Sequence, residues 1–329
     1  MKRFFILILF VPTIAFCQDV NRKVSTADSL ESVKAVAFFD KEIINYPNQA
    51  DYYFERGRAK INLKDFNGAL QDLNKAVSLN YNQELAFIDR GRLKDQLGDF
   101  AAAIADYDQA ILIKPTGVAY YNRGLANHSL NNFAEAVQDY DKAIALDARP
   151  DFYYSRGMAK IALKDKAGAL ADLDKTILVS PTPEDAYFAR GNLKNDQNDV
   201  KGALADYSQV IAINPLNMEA YNARMIASLI TRNFAGAVTD ADKIIAADPK
   251  NATAYFNRAY SKRSLNNFKG AIEDYTKSIE LDSQNSDAYN NRGLVKHLMK
   301  NDAAACSDFK KAAQMGNKIA KDNVLHFCK

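Results

Sequence analysis

One pattern recurs eight times between residue 51 and about residue 316, at a spacing of 33 or 34. Each copy carries an aromatic residue, an Arg three positions later, a residue directly after it that is usually Gly, and an Ala twelve further on. A fixed period of this length builds a stacked array, in which each unit packs on its neighbours instead of around one central core. It overrides the two-domain expectation that 329 residues would otherwise raise. It also narrows function to binding.

The Arg-Gly step marks the register at Arg56-Gly57, Arg90-Gly91, Arg123-Gly124, Arg156-Gly157, Arg190-Gly191 and Arg292-Gly293, varied to Arg224-Met225 and Arg258-Ala259. Three residues before each Arg stands Tyr53, Phe87, Tyr120, Tyr153, Tyr187, Tyr221, Tyr255 or Tyr289. The invariant Ala falls at 69, 103, 136, 169, 203, 237, 271 and 305, and four residues later comes Leu73, Tyr107, Tyr140, Leu173, Tyr207, Ala241, Tyr275 or Phe309. Spacings of three and four belong to helices. Each copy holds two such stretches split by a short polar step such as Lys64-Asp65, and Pro115, Pro181, Pro215 and Pro249 close the second stretch. Each copy is therefore a helical hairpin, A then B. The small position lets the two helices approach, and the aromatics fill the space beside it.

A second ladder runs through all eight copies. Sixteen residues after each Arg stands an Asp, at 72, 106, 139, 172, 206, 240, 274 and 308. Arg lies on helix A and Asp on helix B, each one residue before a packing position. They are expected to form partly buried pairs, within a repeat or from one repeat to the next, that set register.

Repeat two shows the whole set: Phe87, Gly91, Ala103, Tyr107, Ala110 and Pro115. In these positions the chain resembles the tetratricopeptide repeat (TPR) family, over about 265 residues in eight copies. Departures are local: Met225 stands where a small residue is usual, and Thr176, Val210, Ile244 and Ser278 replace a late Ala. The resemblance implies an all-α, right-handed α-solenoid of helix-turn-helix repeats with capping helices. It also implies a concave groove lined by helix A, at positions three before, one after and four after the Gly. Those positions hold Phe54, Ile88, Tyr121, Tyr154, Phe188, Asn222, Phe256 and Asn290; Arg58, Arg92, Met158, Asn192 and Tyr260; and Asp95, His128 and Arg263, among others. Rings supply contact area, while Arg and Asn suit a peptide backbone or carboxylate. Some family members grip a C-terminal carboxylate with Lys and Asn; Phe54, Ile88 and Tyr121 fill the places such a clamp needs.

The ends are different material. Lys2-Arg3, the apolar run Phe4–Phe10 and Ala15-Phe16-Cys17 before Gln18 read as a secretory signal peptide over 1–17. The rival is lipidation of Cys17 as in bacterial lipoproteins, although Phe16 is not the small residue that motif wants. Export places the chain in the periplasm or outside the cell, without membrane insertion after cleavage. Residues 18–50 read as a linker and a capping half-repeat: Ala35, Phe39 and Ile43 keep the helix B register, whereas Asp19 and Lys23 stand where an aromatic and a small residue belong. Residues 51–316 hold the eight repeats. Residues 317–329 read as a capping helix with Ala320, Val324, Leu325 and Phe327 as apolar contacts. Cys306 and Cys328 are an even pair in an exported chain, which suggests a disulfide.

No catalytic constellation stands out, and neither a metal cluster nor a cofactor motif does. Lys plus Arg number 43 and Asp plus Glu 40, and without Lys2 and Arg3 the formal charge falls to +1, with no basic run to bind nucleic acid. The expected function is a non-catalytic scaffold for a protein or peptide. Envelope assembly by an anchored lipoprotein and recognition of carbohydrate or cell wall are the alternatives. Asn127 and Asn251 open N-x-S/T sequons, relevant only in a eukaryotic secretory route.

Overall fold

The computed structural model of the chain describes residues 26–328. The candidate signal peptide, Cys17, Asp19 and Lys23 lie outside the described residues. Within them are eighteen α-helices and no strand, in two compact units. The first, up to residue 165, holds α1 (Thr26–Asn45), α2 (Ala50–Asn62), α3 (Phe66–Ser78), α4 (Glu84–Gln96), α5 (Phe100–Ile113), α6 (Gly117–Ser129), α7 (Phe133–Leu146) and α8 (Pro150–Ala162). The second, from residue 166, holds α9 (Lys166–Val179), α10 (Glu184–Asp196), α11 (Val200–Ile213), α12 (Met218–Ile230), α13 (Phe234–Ala247), α14 (Ala252–Ser264), α15 (Phe268–Leu281), α16 (Ser286–Leu298), α17 (Asp302–Gln314) and α18 (Lys318–Phe327). Even-numbered helices from α2 to α16 are A helices, and their odd-numbered successors are B helices.

The turn chemistry repeats as faithfully as the packing. Lys64, Gly98, Asn131, Lys164, Asn198, Arg232, Asn266 and Lys300 all take positive φ. The residue after most of them caps helix B: the Asp65 side chain accepts from the Gly68 amide, Asp199 from Gly202, and Asn267 from Gly270. A left-handed residue followed by an Asx cap turns the chain within three residues and satisfies a donor that the new helix would otherwise leave bare. Lys and Arg at φ near 60° carry a steric cost that Gly98 avoids.

Each hairpin closes on the small position. A Cβ added to Gly91, Gly124 or Gly293 would lie 2.7 Å from the ring of Tyr107, Tyr140 or Phe309 on the facing B helix. Those rings are fully buried. Repeat six reverses the sizes: Met225 is fully buried in one cluster with Ala237 and Ala241. The bulk has moved from helix B to helix A, so the departure at Met225 is compensated by Ala241.

Both ends pack through one face. On α1, Ile43 joins the first core cluster, Phe39 meets Tyr52 at 5.9 Å, and Asp40 accepts from Arg56. On α18, Ala320 is fully buried, and the Phe327 ring lies 4.3 Å from His297 and 6.0 Å from Phe309. Cys306 on α17 and Cys328 form a disulfide with Cα atoms 5.5 Å apart. Leu325, expected as an apolar contact, is 73% exposed instead.

Candidate binding surface

Within each unit the Arg–Asp ladder joins repeats as well as helices. In seven repeats the Arg forms a fork-to-fork pair with the Asp sixteen residues on, with Nε–Oδ2 at 2.8–3.0 Å and Nη2–Oδ1 at 2.5–2.7 Å. Every ladder Asp is between 1% and 4% exposed, deeper than a residue bordering the seam. Nη1 then reaches back to the preceding B helix. Its acceptors are Asp40, Asn74, Asp108, Asp141, Asp174, Ser208, Asp242 and Thr276, each two positions after the ladder site. A Lys four residues after the Arg completes the cage: Lys60, Lys94, Lys194, Lys262 and Lys296 reach the same Asp at 2.7–2.8 Å, and Asn127 substitutes at 3.3 Å. The aromatic three residues earlier lies 5.3–5.7 Å from each guanidinium. The bonded carboxylates hold Arg123, Arg190 and Arg258 well above the usual arginine range. These cations are consumed by structure and leave nothing for a ligand.

Within each unit, successive A helices touch: α4 with α6, α6 with α8, and α14 with α16. B helices make no comparable contact with each other, so the A helices form the tighter, inner layer. In the first unit, several residues expected to line a groove are used up in that layer. Phe54 and Ile88 are buried, with Phe54 against Tyr81 at 4.8 Å. Tyr121 stacks on Phe152 at 4.6 Å and shares a hydrogen bond with Ser155 at 3.3 Å, and burial pushes its hydroxyl up to about 12. Asp95 is also buried, accepting from the Tyr107 hydroxyl at 2.5 Å; desolvation raises its carboxyl to about 7. Phe54 is covered by the Tyr81 ring, Ile88 packs with Ala110 and Ala119, and Asp95 is turned to Tyr107 on the facing B helix, which corrects the groove assignment at these positions. What stays accessible is charged: Arg58 is half exposed over the Phe54 ring and shares Asp89 with Arg92, at 3.5 and 4.0 Å. Burial raises Asp89, and the two guanidinium groups oppose that shift. His128 sits against Phe133 at 5.0 Å, lowered by burial; Tyr154 and Met158 are half-buried on α8.

In the second unit the pattern is similar. Phe188 and Phe256 pack on Tyr207 and Tyr275, and Asn192 accepts from the Tyr207 hydroxyl at 2.8 Å. Asn290 is buried and accepts from Asn323, a second correction of the same kind. Asn222 and Ile226 on α12 are exposed. Tyr260 carries the Arg263 guanidinium 4.9 Å above its ring, and Arg263 also donates to Asn291. Asn127 and Asn251, the sequon residues, are occupied as well: the first is buried against Asp139, and the second caps α14. Among the described residues no group of His, Cys, Asp or Glu is placed to hold a metal, and no helix is long and apolar enough to cross a membrane.

Models of the tetratricopeptide repeat match residues 50–83, 86–116, 117–149 and 188–252, and a model of the TPR repeat matches 260–300, together more than half of the chain. Among solved structures, the C-terminal part of a TPR repeat-containing protein from Cytophaga hutchinsonii is 18% identical, with a TM-score of 0.61 over 74% of this chain and 97% of that one. A tetratricopeptide repeat protein from Parabacteroides merdae is 20% identical over 75% and 99%, with a TM-score of 0.48. MamA from Desulfovibrio magneticus is 16% identical over 51% and 94%, with a TM-score of 0.47. No curated protein matches the chain in sequence.

Proposed function

Because the chain belongs to the tetratricopeptide repeat family, we propose that it is a non-catalytic scaffold whose A-helix face binds an extended segment of another protein. One observation carries this reading. After the ladder and the ring stacks have taken their residues, the A helices of the second unit still expose an amide at Asn222 and an apolar side chain at Ile226. On α14 of the same unit, Tyr260 presents a ring topped by Arg263. Such a mixture can hold a peptide backbone by hydrogen bonds and a few side chains by contact. The scaffold acts outside the cytoplasm, and residues 1–17 are its removable signal peptide.

Immobilised protein incubated with native soluble and membrane fractions tests the binding face. Replacing Tyr260 and Arg263 by Ala should release the captured partner without changing the helical content. Tyr121→Ala, which breaks a stack, should lower the melting temperature instead. Retention of the partner by the Tyr260/Arg263 variant rejects this face. Mass spectrometry of the mature N-terminus tests the export reading. A chain starting at Gln18 supports it, and a lipidated Cys17 replaces it with a membrane anchor.

A further inference from the structure

Helix α1 keeps the helix B register, and among the described residues no helix A stands before it. In the array, Arg56 bonds Asp40 of α1 as each later Arg bonds the B helix before it, so α1 occupies the place of a preceding helix B. Two residues before that acceptor, every repeat holds its ladder Asp, buried against its own helix A. On α1 this position is Phe38, and it is 56% exposed. The side of α1 that should face a helix A therefore ends in an uncovered ring.

The residues around that ring follow a row with four-residue steps: Leu30, Lys34, Phe38, Glu42, Tyr46. Leu30 and Tyr46 are 55% and 57% exposed, and the Tyr46 amide still donates to the Glu42 carbonyl, so the row runs unbroken past the end of the helix. Residues four apart form one ridge of a helix, and like ridges of two helices interdigitate when the helices cross. This ridge reads apolar, basic, aromatic, acidic, apolar. It is its own complement under a two-fold axis through Phe38: Phe38 meets Phe38 of the second copy, Lys34 meets Glu42, Glu42 meets Lys34, and Leu30 meets Tyr46. An isologous contact requires this property, in which the same patch serves both partners. A helix that only capped the array toward solvent would carry polar residues here.

We infer that the chain forms a two-fold dimer through antiparallel pairing of α1 helices, with the second copy's α1 covering the side that helix A covers elsewhere. The other end of the array is not equivalent. There α18 is fastened by the Cys306–Cys328 disulfide, and its ladder position carries Val324 in place of Arg.

Analytical ultracentrifugation of the purified protein tests this. The expected result is a concentration-dependent dimer that Phe38→Glu converts to monomer without loss of helix signal, since the side chain is exposed. Lys34→Glu and Glu42→Lys should each weaken association at least tenfold, because each sets like charges against each other twice. The double variant should restore it, because exchanging the two charges preserves complementarity. Phe38→Cys should give a disulfide-linked dimer under mild oxidation, as the axis brings the two side chains together. A monomer at every concentration, or a dimer that Phe38→Glu leaves intact, overturns the inference.

Discussion

Arg258 separates the two halves of the ladder cleanly. It donates twice to Asp274, at 2.8 and 2.6 Å, and once to Asp242, at 2.7 Å. The bond lengths are alike, but the surroundings differ. Asp274 is 4% exposed and also bonded to Lys262, whereas the Asp242 side chain is 55% exposed. Asp274→Ala removes three charge-assisted bonds and leaves Arg258 and Lys262 facing a dry gap. Stranding a fully buried charge costs about 3–5 kcal/mol. Here Arg258 keeps Asp242 and the Tyr255 ring, and Lys262 can swing to water, so the expected loss is about 2–3 kcal/mol. Asp242→Ala removes a solvated pair and should cost about 0.2–1 kcal/mol. The first loss should persist in 1 M salt and the second should vanish, because only exposed pairs are screened. Urea unfolding followed by circular dichroism measures both. An array need not unfold in one step, so amide exchange in α14 and α15 should locate the damage. Equal losses for the two variants, or a loss below about 0.5 kcal/mol for Asp274→Ala, would refute the claim that burial decides which half of the ladder stabilises the fold.

Other outcomes follow from the same packing. Asp95 titrates near 7 when folded, above the roughly 3.9 of an unfolded Asp, so its contribution to stability is full below about pH 4 and lost as pH rises through 7. Asp95→Asn, which still accepts from Tyr107, should therefore stabilise by about 2–4 kcal/mol at pH 8 and change little at pH 4; equal effects at both would contradict the buried carboxylate. Met225→Gly should open a cavity and Ala241→Tyr should overpack the same hairpin, each costing about 1–4 kcal/mol, while the pair together rebuilds the arrangement of the other repeats and recovers most of the loss; additive losses would show that the swap is not reciprocal. Cys306→Ser should cost about 3 kcal/mol, confined to α17 and α18 by amide exchange, for a loop closed over 22 residues; unchanged protection of α18 would mean that Ala320 and Phe327 hold the cap without it.

Much of this architecture is legible in the residues alone because repetition multiplies weak signals. A single Arg-Gly step says little, yet eight in register fix both helices of every hairpin and the pairing of Arg56 with Asp72. The ladder's outer partners were also visible in principle: a Lys four residues after most of the Arg positions and an acceptor two residues after the Asp. They were missed because neither position is uniform; Asn127 and Ser208 stand in where Lys and Asp would be expected. The groove was harder. Whether Phe54 or Tyr260 meets solvent depends on how closely neighbouring A helices approach and on rings from connecting segments, such as Tyr81, which covers Phe54. No spacing rule within one repeat contains that information. The exposed Leu325 was misjudged for the opposite reason, since the apolar pattern continues where none of the described helices covers it.

Photo-crosslinking in the native host tests the proposed role most directly. A crosslinking residue placed at Ile226 or Tyr260 samples the A-helix face, and one at Gln109 or Lys175 samples exposed positions on B helices. If the A face is the binding surface, Ile226 and Tyr260 give one shared adduct in the exported fraction, and the B-helix positions give none. Adducts of the same partner from Gln109 and Lys175, with none from Ile226 and Tyr260, would place binding on the outer layer and contradict the account.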